Sequence, residues 1–163
     1  MTSLNDHIEE YQRQLDKGHI QRAYKGIITF MSGLRSALTK AYPSFYTSAL
    51  YFGTMDMTYF AFTPPQLREK ELKIAIVYLH EDGAFEAWLS GRNRKVQAET
   101  IEQLKDQNLR EYKLSQVKPG VDSIIETLLV KHPNFNHPEA LRNQIEKKTL
   151  KFIMDMEALF STG

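Results

Sequence analysis

The sequence predicts a single α+β domain spanning residues 1–163, in which a small antiparallel sheet of three or four strands packs against N-terminal and C-terminal helices. Three stretches, residues 50–62, 72–80 and 84–90, are rich in the aromatic and β-branched residues that suit strands. The stretches on both sides show the apolar spacing of amphipathic helices. A chain of 163 residues has the usual length of one domain and can bury a core without disulfides.

The N-terminal part predicts two helices. In residues 4–17, Ile8, Tyr11 and Leu15 form one narrow apolar stripe, which is typical of a surface helix, and Gly18 is a natural end for it. The second helix shows a broader apolar face from residue 20 onwards. It should end near residue 41, because Pro43 disfavours a helical conformation in the residue before it.

The sheet is predicted from the next stretches. Gly53 indicates a bulge or a bend in the first strand, and the Pro64-Pro65 pair ends that strand before a turn or a single helical turn over residues 66–71. Residues 81–83, which end in Gly83, predict a three-residue hairpin loop between the second and third strands. This loop length would place His80 opposite Ala84.

That register divides the hairpin into two faces. One face has only apolar side chains and should lie under the helices: Ala75, Val77, Leu79, Phe85, Ala87 and Leu89. The other face mixes aromatic, apolar and ionisable groups: Ile74, Ile76, Tyr78, His80, Glu86, Trp88 and Ser90. The mixed face is therefore where the sequence predicts a site.

The C-terminal half predicts three more helices and one edge strand. A polar helix follows residues 92–95 and fades near Asn108, and residues 109–116 alternate as an edge strand would, most clearly over 110–115. Residues 121–131 have the spacing of a helix with a broad apolar face. The last helix should begin at Pro138, with Glu139 near its positive end, and continue to about residue 160.

Composition limits the classes of function. The 21 basic and 20 acidic residues give a net charge of +1, so nothing indicates binding to nucleic acid. With no cysteine, the chain has no disulfide, thiolate metal site or cysteine nucleophile, which suits a reducing compartment. The polar start and the lack of a long apolar run predict a cytoplasmic protein without a membrane segment.

Three sequence blocks together resemble a family of small, uncharacterised bacterial proteins that is classed as a domain of unknown function. The blocks are residues 55–60 (MDMTYF), 72–77 (LKIAIV) and 85–93 (FEAWLSGRN). The resemblance extends over most of the chain. It implies relatives, but it implies no activity, cofactor or partner.

The mixed face is the first candidate for a site that binds a small polar or anionic ligand. Trp88 and Tyr78 would form its walls, and Glu86 would orient the ligand or transfer a proton. Arg92 and Asn93 follow the same strand at a strand-to-helix turn, where an anion is favoured. Asp56 could join the site through strand alternation, or it could instead bond local backbone at a bend.

Two alternatives remain open at this stage. Asp56, Glu71 and Lys73 imitate the acidic pair and lysine of metal-dependent phosphodiester hydrolases, in which two carboxylates hold the metal. An adaptor that works only through partners would need neither metal nor pocket. The five histidines lack metal-ligand spacing, so we predict no metal site and no cofactor, and the sequence does not determine whether the chain forms homo-oligomers.

Overall fold

A computed structural model, which describes residues 2–161, shows an α+β fold. In these residues, five helices accompany one antiparallel sheet of five strands in the order β1-β2-β3-β4-β5. The elements in chain order are α1 (Leu4–Lys17), α2 (His19–Ala41), β1 (Tyr46–Thr47), β2 (Met57–Thr63), α3 (Pro65–Glu69), β3 (Leu72–Leu79), β4 (Ala84–Gly91), α4 (Arg94–Leu104), β5 (Ser123–Val130) and α5 (Pro138–Ser161). The predicted fold class is confirmed.

Helices α1, α2, α4 and α5 form where the apolar spacing predicted them. Helix α1 begins at a capping box, in which the Ser3 side chain accepts from the backbone N–H of Asp6 and the Asp6 carboxylate accepts from that of Ser3. It ends at Gly18, which has a φ of +79°. Helix α2 ends just before Tyr42, whose extended φ of −128° is what Pro43 favours.

The first predicted strand is interrupted by a tight turn. Strand β2 begins only at Met57, and in the turn before it Gly53 and Met55 have φ values of +75° and +68°. A Cβ atom at Gly53 would collide with the backbone carbonyl of Met57, so this position requires glycine. The segment before the turn pairs with β2 through β1 and through a bridge from Tyr51 to Tyr59. The predicted bend at Gly53 is confirmed.

The prediction of a helix over residues 121–131 is wrong, because this segment forms strand β5. Its pairing with β4 skips Leu129 and Ile124, so each is the extra residue of a β-bulge. Each bulge shifts the strand alternation by one position, and two bulges therefore give the apolar residues a helix-like spacing. Residues 109–116 do not form the predicted edge strand, since only Leu114 makes an isolated bridge, to Ile125.

The hairpin between β3 and β4 has a turn of four residues, 80–83, because Leu79 pairs with Ala84. Gly83, which has a φ of +62°, donates its N–H to the carbonyl of Leu79 at 2.8 Å. The predicted pairing of His80 with Ala84 is therefore wrong by one residue. A shift of one residue moves the side chains of one strand to the other face relative to its neighbour.

The observed register places on opposite faces residues that were predicted to share one face. Tyr78 pairs with Phe85 and lies on the face that packs against the helices, where it is 6% exposed. Glu86 and Trp88 lie on the opposite face of the sheet. The prediction that Tyr78 shares a face with Glu86 and Trp88 is therefore wrong.

One hydrophobic core joins the helices to one face of the sheet. Its large, fully buried members come from α2, α4, α5 and the strands, among them Met31, Leu34, Phe60, Phe62, Phe85, Leu104 and Phe152. The opposite face of the sheet is open along a groove. No helix within residues 2–161 combines the length and the apolar character needed to cross a membrane.

A pair of substitutions tests whether residues 123–130 form a strand. Ile125 is fully buried in β5, so Ile125→Asp should lower the free energy of unfolding by roughly 3 kcal/mol or more. Leu128 is 50% exposed, so Leu128→Asp should cost less than about 1 kcal/mol. Urea unfolding followed by circular dichroism measures both values. An equally large loss for the two variants would support the helix, in which both residues share the apolar face.

Candidate functional site

The open face of the sheet contains a groove of about 380 Å³, which we call the sheet groove. Its lining comes from β2, β3, β4 and the turn that follows β4, and the residues that define it are Tyr59, Lys73, Ala75, Val77, Trp88 and Arg92. Tyr51, Asp56 and Asn93 also line it. Four of the six predicted ligand-binding residues therefore lie at this groove: Asp56, Trp88, Arg92 and Asn93.

The groove exists because small side chains lie between large ones on the same face. Ala75 and Val77 form the floor, and the register places Trp88 beside Ala75 and Tyr59 beside Val77. Tyr51 packs against Tyr59 with 4.9 Å between the ring centroids. Large aromatic side chains around a floor of alanine and valine leave a concave apolar surface.

Glu86 holds the Trp88 wall in place without lining the groove itself. The indole Nε1 of Trp88 donates to Oε1 of Glu86 at 2.8 Å. Burial raises the pKa of Glu86, and the nearby charges of Glu126 and Asp82 raise it further, while the Trp88 hydrogen bond acts in the opposite direction. The structure therefore gives Glu86 a positioning contact with Trp88.

The turn between β4 and α4 forms the end of the sheet groove that contains Arg92 and Arg94. A Cβ atom at Gly91 would lie 2.7 Å from the backbone nitrogen of Gln97, so a side chain there would push the helix away. Asn93 caps α4, since its Oδ1 accepts from the backbone N–H of Val96 at 2.9 Å. This cap gives Asn93 a structural role in addition to its place in the lining.

The two arginines at this end are already paired with carboxylates. Nη1 of Arg92 lies 3.1 Å from Oε1 of Glu71, and Nη2 of Arg94 lies 2.9 Å from Oδ1 of Asp122. Arg94 also donates to the carbonyl of Val121, which ties the turn to the start of β5. Their charges are therefore largely neutralised within the protein.

Lys73 differs from both arginines. It is half-buried in the sheet groove, directly across from Ser90 on β4, and within residues 2–161 no carboxylate comes within 4 Å of its ammonium group. From the sequence, Lys73 was predicted only as part of the hydrolase pattern, and Tyr59 was not predicted as a wall of a site. The alternation of residues 73, 75 and 77 on one face would have found Lys73, had the hairpin register been correct.

Asp56 lies at the end of the sheet groove remote from Glu71. Its carboxylate accepts from the backbone N–H of Thr54 at 2.9 Å, and this bond, with those from Met57 and its own N–H, lowers its pKa. These bonds fit the second prediction for Asp56, in which its carboxylate bonds the local backbone at a bend. The backbone carbonyl of Asp56 accepts from His80, just past the end of β3.

The hydrolase arrangement does not form. Glu71 immediately precedes the eight residues of β3 and Asp56 lies beside their far end, so the two carboxylates are roughly 25 Å apart. Two ligands of one metal ion must lie within a few ångströms of each other. Within residues 2–161, no three His, Asp or Glu side chains cluster as metal ligands.

Tyr78 lines a different cavity, on the helix-covered side of the sheet. This cavity has a volume of about 970 Å³ and lies between α2 and the start of α5. We call it the helix groove and define it by Arg22, Gly26, Phe30, Tyr78, Phe135 and Arg142. The sheet itself therefore separates Tyr78 from the other predicted site residues.

Comparison with known proteins gives a family match. A protein-family model described as "Domain of unknown function (DUF7000)" matches residues 4–160. No curated protein and no solved structure matches the chain. The match agrees with the class of family that the sequence blocks resemble, and it supplies no activity.

The raised pKa of Glu86 predicts a specific pH dependence of stability. The pKa of an unfolded glutamate is about 4.3, and the folded-state pKa of Glu86 is higher. Folding therefore binds a proton between these two values, so this group lowers the free energy of unfolding as the pH rises from about 4.3 through the folded-state pKa. Below that range the side chain is neutral in both states.

Glu86→Gln removes the titration and keeps an oxygen that can accept from Trp88. The stability of the variant relative to the parent should therefore increase across this pH range and level off above it. Urea unfolding at a series of pH values measures the difference, and Trp88 emission checks that the indole keeps its environment. A difference that stays constant with pH would contradict the role of burial at Glu86.

Proposed function

The chain belongs to the family described as a domain of unknown function (DUF7000), which names no activity, and we propose from its own geometry that the sheet groove binds a small ligand. The ligand combines a planar ring with one anionic group, a carboxylate or a phosphate. The observation that carries the proposal is Lys73, a half-buried cation without a carboxylate partner in residues 2–161.

The charge balance of the groove supports an anionic ligand. Arg92 and Arg94 have Glu71 and Asp122 as partners, so a ligand gains less from them than from Lys73. An ammonium group without a carboxylate partner can form a charge-assisted hydrogen bond with an anion placed beside it. The attraction between the two charges is also stronger beside apolar walls than in bulk water.

The aromatic walls support a planar ligand. Trp88 is held by Glu86, and Tyr59 is backed by Tyr51, so both rings are ordered before a ligand arrives. Ordered walls reduce the conformational entropy that binding costs. A ring placed over Ala75 and Val77 would lie between the two walls, since Trp88 pairs with Ala75 on one side of β3 and Tyr59 pairs with Val77 on the other.

The anionic group of the ligand belongs at the end of the groove formed by β3 and β4. Ser90 is the register partner of Lys73 and lines the same groove, so its hydroxyl can donate to an anion that Lys73 attracts. Arg92 lies beyond them, and because it is paired with Glu71 it attracts the anion less strongly than Lys73 does. In this arrangement Asp56 closes the opposite end and repels the anion from it.

The proposal assigns binding to this site and no reaction. Glu86 faces the indole of Trp88, and Asp56 is occupied by backbone donors, so neither carboxylate is placed to transfer a proton to the ligand. A cytoplasmic location and a bacterial origin belong to the proposal as well. The lack of cysteine and the resemblance of the sequence blocks support them.

Replacing Lys73 tests the proposal directly. Benzoate and phenyl phosphate are suitable probes, benzamide is the uncharged comparison, and emission from Trp88, the single tryptophan of the chain, reports binding. The parent should show saturable changes with the two anions. Lys73→Gln should weaken their binding by about tenfold or more, which corresponds to about 1.4 kcal/mol.

Lys95→Gln is the matched control. The substitution Lys95→Gln removes the same charge from the chain, but the Lys95 side chain is 82% exposed and does not line the sheet groove. The Lys95→Gln variant should therefore bind benzoate and phenyl phosphate as the parent does. Equal binding of benzamide and benzoate, or an equal loss in the two lysine variants, would reject Lys73 as the anion-binding group.

A further inference from the structure

Helix α1 extends from the body of the protein as an arm. None of its residues is buried, and every residue from Leu4 to Arg13 is exposed. Its apolar stripe is uncovered, since Leu4, Ile8 and Tyr11 are 73%, 42% and 57% exposed. A capped helix with an uncovered apolar stripe is typical of a segment that docks on another surface.

The helix groove offers an apolar surface of matching length. Arg22 to Gly33 of α2 form one side, which is roughly 18 Å of helix, and the 14 residues of α1 extend about 21 Å. Phe30, Tyr78 and Phe135 pack against one another and form an aromatic floor. A Cβ atom at either Gly26 or Gly33 would meet nothing within 4 Å, so space remains beside the helix.

The rim of the helix groove is basic. Arg22, Lys25 and Arg142 line it, and none of the three has a carboxylate within 4 Å in the part of the chain that the structure describes. Three positive charges around an apolar surface favour an amphipathic partner with a net negative charge.

Helix α1 has the opposite sign of charge. It carries four acidic residues, Asp6, Glu9, Glu10 and Asp16, and two basic residues, Arg13 and Lys17. All six lie on the polar part of the helix, outside the apolar stripe. The arm therefore matches the helix groove in apolar surface and in length, and its net negative charge suits the basic rim.

The arm cannot fill the groove of its own chain. Gly18 is the single residue between α1 and α2, whereas two antiparallel helices need a connection of about two to five residues. The groove also begins at Arg22, immediately after this connection. A docked arm must therefore come from another molecule.

We propose that two copies of this chain exchange their α1 arms, each arm lying in the helix groove of its partner. Such an exchange uses the same two surfaces on both molecules and closes as a symmetric dimer. It is independent of ligand binding in the sheet groove, which lies on the other face of the sheet. The exchange would make the chain a homodimer.

Sedimentation of the 163-residue chain tests the exchange. The parent should sediment as a dimer, and the double variant Ile8→Gln, Tyr11→Gln should raise the dissociation constant by at least about tenfold. Both residues are exposed on α1, so the thermal stability of the monomer should stay unchanged. Arg13→Gln, on the back of the same helix, is the matched control and should leave the dimer intact.

A second pair of variants tests the groove. Gly26→Trp places a large side chain in the open space beside α2 and should prevent dimerisation, whereas Gly26→Ala adds only a methyl group and should permit it. Mixing the arm double variant with Gly26→Trp should restore a weaker dimer. In that mixture, one chain supplies an intact arm and the other an intact groove.

Three results would overturn the proposal. The first is a parent protein that remains monomeric up to about 100 µM, a concentration that would detect weak self-association. The second is a dimer that survives both the arm and the groove variants. The third is a mixture of variants that associates no better than either variant alone.

Discussion

The register of the β3–β4 hairpin is the constraint on which the rest of the structure depends. Because Leu79 pairs with Ala84, the hairpin sends Tyr78 and Phe85 into the core and Lys73 and Trp88 to the open face. A turn shorter by one residue would move the side chains of one strand to the opposite face of the sheet and would bury a charged side chain. The cost of burying an unpaired charge therefore keeps the hairpin in one register.

Most elements could be predicted from local sequence, whereas the pairing between them could not. Four helices, α1, α2, α4 and α5, have clear apolar spacing and recognisable ends in the sequence. These local signals were sufficient to predict them. Strand β5 was missed because its two bulges, at Ile124 and Leu129, disturb the alternation that identifies a strand. A bulge depends on the neighbouring strand, so β5 alone does not reveal it.

The candidate site was predicted in part for the same reason. Trp88, Arg92 and Asn93 follow one another along β4 and the turn after it, so a correct strand was enough to bring them to one groove. Tyr78 and Lys73 depend on how β3 pairs with β4, and both were assigned incorrectly or for another function. The errors in the predicted site therefore arise because the turn between β3 and β4 has four residues, whereas three were predicted.

The two grooves lie back to back on the same strands, which limits how they can influence each other. Val77 forms part of the floor of the sheet groove, and the next residue, Tyr78, forms part of the floor of the helix groove. Strand β3 is hydrogen-bonded to β2 on one side and to β4 on the other, so a ligand cannot push it through the sheet without breaking both ladders. Coupling between sites requires an element with two stable arrangements, and a central strand paired on both edges has one. The ligand site proposed on the open sheet face and the docking site proposed on the helix-covered face would therefore act separately.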